Sequence, residues 1–196
     1  MGEKEPNIYQ NAQGDTTEPQ EPGTRVERMA DFSEETLQEI LSIERACFEG
    51  DMVETEEEIR PILTDPTGIH LKLMDSEGRM VGYVTSLVPY QESEELQKTD
   101  PEFKAEEGVL YVHSIDILPG SRNLKNFNAL FRGFEHEVMK DEHKYRKIIT
   151  YARTTNRFSS ILQKKFGARC LRTIDNWRDS GETMDYLEID LPKQEK

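Results

Sequence analysis

Only two cysteines, Cys47 and Cys170, occur in 196 residues, and they lack the paired spacing of a disulfide framework or a zinc site. Both read as ordinary thiols. No stretch approaches the ~18 to 20 consecutive apolar residues of a membrane span, and the opening MGEKEPNIYQ lacks the apolar run of a signal peptide. Basic charge is also scarce: 25 Lys and Arg stand against 39 Asp and Glu, a net charge of −14. Such a field repels phosphate backbones and anionic lipid faces, so no nucleic-acid and no membrane partner is expected. The composition is that of a cytoplasmic protein. The chain is long enough for one domain with a real core and too short for two ordinary ones.

Large apolar residues are missing most conspicuously at one end. Through position 27, after the initiator, they are only Ile8, Tyr9 and Val26, among Pro6, Pro19, Pro22 and many Gln, Glu and Thr. Such a segment cannot bury enough surface to offset its ordering entropy. Residues 1–28 are therefore expected to be a disordered acidic tail, 29–192 the domain, and 193–196 a frayed end.

What is present reads as a regular alternation of elements. Ser33, followed by Glu34 and Glu35, supplies an N-cap and negative charge for a helix whose buried stripe is Leu37, Ile40, Leu41, Cys47 and Phe48. Thr55 with Glu58 three residues on has the capping-box pattern and opens a second helix, which Pro61 should kink or shorten. The period then falls to two: Ile69, Leu71 and Leu73 alternate with polar or flexible neighbours, Gly78 closes a turn, and 80–88 continues as a second strand. The acidic stretch 90–108 reads as a long functional or mobile loop, and 109–118 as a strand buried on both faces. Pro119 and Gly120 end it. Phe127, Leu130, Phe131, Phe134 and Val138 then mark a helix, and 148–152 a strand. A last helix with Phe158, Ile161, Leu162 and Phe166 stops at Gly167, a residue suited to a left-handed cap, before two closing strands at 170–174 and 184–191.

Two local patterns give this order a meaning. After the buried strand comes Ile117, Leu118, Pro119, Gly120, Ser121, Arg122, Asn123, Leu124, Lys125, Asn126, Phe127, and the later helix reads from Asn156 through Leu162 and Lys165 to Gly167. The chain resembles the GCN-five-related N-acetyltransferase superfamily, in which a V-x-P-x-x-R-G-x-G-x-G turn opens a helix and an N-x-x-A-x-x-L-Y-x-K-x-G-F helix follows. The resemblance implies an α/β (α+β) fold, the GNAT fold, with a central mixed and mostly antiparallel sheet flanked by helices on both faces. It further implies an acetyl-CoA-dependent transfer to an amine by direct attack in a ternary complex, with no metal. Acetyl-CoA would be held by Ile117, Leu118, Arg122, Asn123, Leu124, Lys125, Asn126, Phe127, Asn128 and Asn156. In such a turn successive backbone N–H groups surround the pyrophosphate. Asn123, Lys125 and Phe127 stand here where the family has glycine. Asn123 tolerates left-handed torsions, Arg122 and Lys125 add positive charge, and Phe127 belongs to the apolar stripe of its helix. The plain alternative is a strand–turn–helix corner without a ligand. Asn156 has its own alternative, capping its helix rather than bonding the pantetheine amides.

Acetyl transfer needs a base for the amine's proton and an acid for the departing thiolate. By strict alternation Tyr111, His113, Ile115 and Ile117 share one face of their strand, and Asp116 lies on the other. The resemblance makes His113 the proton relay, as in aralkylamine acetyltransferases, and an imidazole with pKa near ~6.5 suits that task. The alternative is a histidine satisfied within the sheet. Where the family carries a tyrosine acid this chain has Gln163, so Tyr151 becomes the candidate, with Tyr111 second. His136 and His143 have no third ligand and read as solvated. The acidic loop would steer a cationic acceptor, whether a small molecule or a protein amine, if it is more than a solvated surface. A homodimer is left open, and a catalytically lapsed GNAT-like binding module is the opposing reading.

Overall fold

The computed structural model describes residues 23–192, apart from 31, 141–143 and 156. The elements run β1 (Arg25–Arg28), α1 (Glu34–Cys47), α2 (Glu56–Thr64), β2 (Leu71–Met74), β3 (Met80–Leu87), α3 (Ser93–Thr99), β4 (Val109–Ile117), α4 (Leu124–Lys140), β5 (Lys147–Arg153), α5 (Phe158–Phe166), β6 (Arg169–Ile174) and β7 (Met184–Asp190). Among the described residues the strands form one sheet in the order β1-β2-β3-β4-β5-β7-β6. Only β4 and β5 pair in parallel; the other neighbours are antiparallel.

The helix signals act as their chemistry requires. The Ser33 hydroxyl accepts the Thr36 amide at 3.1 Å, and the Thr55 amide donates to the Glu58 carboxylate at 2.7 Å. Pro61 sits inside α2, which ends three residues later at Thr64. Gly167 takes φ 67°, so the Ala168 amide can reach back to the Leu162 carbonyl at 3.2 Å and end α5.

Helices α4 and α5 cover one face of the sheet, burying Phe127, Leu130, Phe131, Phe134 and Leu162 against Leu71, Val84, Leu110, Val112, Ile148 and Leu187. On the other face, Leu37 and Ile40 of α1 and Ile59 of α2 pack on Met80 and Tyr83. Farther along the same face Ile62, Leu96 and Trp177 cover Tyr111, Ile149 and Tyr186. The sheet is thus buried on both sides through its centre, which is why β4 has no simple polar alternation.

Two expectations need correction. Residues 25–28, placed in the tail, form β1 and pair with β2 from Arg25↔Met74 to Arg28↔Leu71, with Val26 packed on the core. One apolar side chain and an open edge on β2 suffice for a four-residue strand; residues 1–22 and 193–196 lie outside the described residues. The stretch 90–108 is not a plain loop. It holds a 3-10 turn over Pro89–Glu92 and then α3, and it is anchored by the buried Leu96, Phe103 and Asp100. Net charge hid those three anchors from the sequence reading.

Candidate functional site

The parallel pairing of β4 and β5 is short, running from Val109↔Lys147 to Val112↔Thr150. Beyond it β4 follows β3 to Ile117, and β5 follows β7 to Arg153. The two strands therefore part, and a cleft of about 150 Å³ opens where they do. Its lining includes Glu44, Phe48, Glu54, His113, Asp116, Tyr151, Arg153 and Trp177.

Which side chains of β4 reach this cleft is decided by one irregularity. Thr85 pairs with Ser114 but Ser86 pairs with Val112, so His113 is an extra residue, a β-bulge. Alternation restarts after it. Tyr111 packs on the α2 and α3 side, whereas Ile115 and Ile117 pack with α4 and α5. Asp116, paired with Tyr83, comes to the same side as His113. The expected common face for Tyr111, His113, Ile115 and Ile117, and the opposite face for Asp116, fail for this reason.

His113 is clamped. Its side chain is 5% exposed, with Nε2 2.6 Å from Glu54 Oε1 and Nδ1 3.0 Å from Glu92 Oε1. Burial pulls its pKa down, but the two carboxylates outweigh burial and raise it to about 10. At neutral pH the ring is an imidazolium donating from both nitrogens. It joins the loop before α2, the strand bulge and the turn before α3.

Behind it lies a second group of acids. Glu44 of α1, 1% exposed, accepts from the Tyr83 hydroxyl and, at 3.3 Å, from the Glu54 amide. Burial, then the nearby Glu54, raises its pKa; burial, then Glu44 and Glu54, raises that of Asp116. Both carboxyls hold a proton far more readily than exposed ones. Cys47 is no nucleophile, since burial pushes its thiol up to about 11.

Tyr151 lines the cleft, but its hydroxyl donates to Asp100 at 2.7 Å, and burial and then Asp100 drive its pKa far up. Asp100 is held in turn by Arg172. A phenol so placed is a poorer acid than a free one, against its expected role. Tyr111 is buried and packs edge-on to both His113 and Tyr151. The amide of Gln163 donates to Ser159 Oγ at 3.0 Å. His136 is exposed; His143 lies outside the described residues.

The turn expected to hold the cofactor leads from β4 into α4. Asn123 Oδ1 accepts the Asn126 amide at 2.8 Å, so the chain caps α4 itself, and Arg122 Nε turns back to the Ile117 carbonyl at 3.2 Å. Asn126 Nδ2 donates to the Ser121 carbonyl at 2.8 Å. Phe127 is buried against Phe131, Phe158 and Phe166, which removes its ring from the turn. Ile117 is in the core, Leu118 packs on both faces, and Leu124 and Lys125 are exposed. Helix geometry places the Leu124 and Lys125 amides in the first turn of α4. Asn128 Oδ1 is buried without a partner, and Asn156 lies outside the described residues.

Sequence reasoning missed Glu44, Glu54 and Arg153, and took Glu92 only as one charge of the acidic stretch. Glu44 had a readable signal, a carboxylate three and four residues from Leu41 and Ile40 on the apolar stripe of its helix. The others had none. Among the described residues no acid, histidine and cysteine group is arranged to hold a metal ion, and no helix is long and apolar enough to cross a membrane.

No protein-family model and no curated protein sequence matches the chain. Solved structures do. The ribosomal-protein-S18-alanine N-acetyltransferase from Escherichia coli superposes with a TM-score of 0.66 at 11% identity, over 88% of this chain and 97% of that one. Arabidopsis thaliana NAA60, solved in complex with acetyl-CoA, gives 0.64 at 12% identity over 86% and 98%. The spermidine/spermine N-acetyltransferase SpeG from Vibrio cholerae gives 0.58 at 12% over 86% and 93%. Element order, the parted parallel pair and these superpositions agree: the chain has the GNAT fold of the GCN-five-related N-acetyltransferases.

Proposed function

We propose that the protein transfers an acetyl group from acetyl-CoA to an amine. The observation that carries this reading is the acidic cleft at the parting of β4 and β5, where the buried Glu44 and the half-buried Asp116 have raised proton affinity. An amine reaches an acetyltransferase as an ammonium, and such a wall attracts it. Its charge restores ionisation of Asp116, which then takes the proton and leaves the nitrogen lone pair free. A carboxylate lifted toward neutrality suits that step better than an exposed one. His113 does not compete for the role, because both of its nitrogens already donate to carboxylates. It is a positioning residue that holds Glu54 and Glu92 over the cleft.

Acetyl-CoA supplies the thioester carbonyl that the amine attacks. The amides of Leu124 and Lys125 and the Lys125 ammonium are the groups that would hold its pyrophosphate, with Ile117 and Leu118 alongside and Arg122 adding charge from behind. Asn123 and Asn126 serve this segment by shaping the turn rather than by contact, and Phe127 by anchoring α4 in the core.

A binding module without transfer remains the second reading, favoured by one observation: Asn123 occupies the helix N-terminus that glycine leaves open in the family. Calorimetry with acetyl-CoA, on the wild type and an Arg122→Ala, Lys125→Ala double variant, separates these readings when combined with an amine-dependent thiol-release measurement. We expect roughly tenfold weaker binding for the double variant, about 1.4 kcal/mol. Equal affinities would move acetyl-CoA away from this turn. Tight binding without thiol release for any amine would establish the binding module.

A further inference from the structure

The cleft carries two signs of charge, and the positive one has an unused donor. His113, Arg153 and Arg178 are its cations. His113 is committed to Glu54 and Glu92, and Arg178 is exposed and lies beside the Trp177 ring. Arg153 differs. It ends β5, and its guanidinium lies over the Phe48 ring, 4.8 Å from its centre. Nη1 stands 4.0 Å from Glu182, while Nη2 is buried without any hydrogen-bond partner. A buried guanidinium N–H without an acceptor is destabilising, and such groups are normally paired. Its fork matches a carboxylate in shape and charge.

We infer that the acceptor is an α-amino acid with a large apolar side chain, its carboxylate held by Arg153 and its ammonium facing Asp116. This rests on the acetyl-transfer reading for the reaction, though not for the binding. A polyamine would set positive charge against Arg153 and leave Nη2 without an acceptor. A simple carboxylic acid would meet Glu44 and Asp116. A zwitterion satisfies both walls with one molecule. The rest of the lining, Phe48, Met52, Tyr151, Trp177 and Met184, offers apolar and aromatic surface to the side chain.

The test pairs amino acids with their decarboxylated amines: phenylalanine with phenethylamine, and leucine with isoamylamine. Calorimetry on the full chain, with and without acetyl-CoA, should show at least one amino acid binding tenfold or more tightly than its amine. Arg153→Gln should erase that preference while leaving acetyl-CoA affinity within about twofold. The inference is overturned if each amine binds as tightly as its amino acid, or if neither amino acid binds. It is also overturned if Arg153→Gln weakens acetyl-CoA binding and leaves the preference intact, which would assign Arg153 to the donor half. Should Arg153→Gln fail to fold, the wild-type comparison alone still decides. Arg153-dependent binding without any N-acetyl product would uphold this site and sink the transfer reaction.

Discussion

Replacing His113 by glutamine and following stability against pH tests the electrostatic core of the site. In the folded protein burial lowers the imidazole pKa, Glu54 and Glu92 more than reverse this, and it stands at about 10; unfolded, it returns to 6.5. Between these values the native state binds a proton that the unfolded state releases, so stability falls as pH rises. The contribution is fully present below 6.5 and is lost as pH rises through about 10. The slope approaches 1.4 kcal/mol per pH unit, and the whole interval is worth on the order of 5 kcal/mol. Glu44 and Asp116, with raised values, also lose stability as pH rises, so the wild-type curve contains all three contributions. Subtracting the His113→Gln curve leaves the first, together with the field that His113 exerts on Glu44. Urea unfolding at half-unit steps from pH 6.5 to 9.5 should show the variant less stable by about 3 to 5 kcal/mol near neutrality, because two partly buried carboxylates lose their cation. The difference should close steadily as pH rises. Adding Glu54→Gln should recover part of the loss, since it removes one stranded charge. Two parallel curves, or an imidazole proton resonance titrating near pH 6.5, would refute the clamp and return His113 to the role of base.

Two further outcomes follow from the site and its support. Asp116→Asn should lower amine-dependent thiol release by ~10²-fold or more while acetyl-CoA affinity changes within a factor of a few, and the variant should lose less stability than the wild type from pH 6 to 9; unchanged turnover would remove Asp116 from the reaction. Phe127→Ala should cost about 3 to 5 kcal/mol in chemical unfolding, because its ring is buried among Phe131, Phe158 and Phe166. A cost below 1 kcal/mol would mean that the ring belongs to the turn and not to the core.

The pattern of legible and illegible features has a physical basis. Caps at Ser33, Thr55 and Gly167, the stripe of α4 and the strand before Pro119 are local, determined by residues within a turn or two, and the sequence displayed them. The pairing of His113 with Glu54 and Glu92 joins positions 59 and 21 residues apart. No periodicity reports such a meeting. Asp100 was read as one more surface acid, yet it is buried by two partners from β5 and β6, Tyr151 and Arg172. Strand β1 escaped because an edge strand needs only a neighbour, and that neighbour is set by the whole sheet. The face of Asp116 was misassigned because alternation was carried unbroken through a strand that contains an extra residue.

That extra residue makes residue count as informative as residue type. The same residues paired with β3 in unbroken register, without the bulge, would read the end of β4 in the opposite phase. Ser114 and Asp116 would then turn toward Phe127 and Leu130, and Ile115 and Ile117 toward the open gap between the strands. Column-by-column identity across this point is therefore a poor guide to kinship in chemistry. The position of the bulge between Val112 and Pro119 is the better one: it decides which carboxylate of β4 faces the cleft.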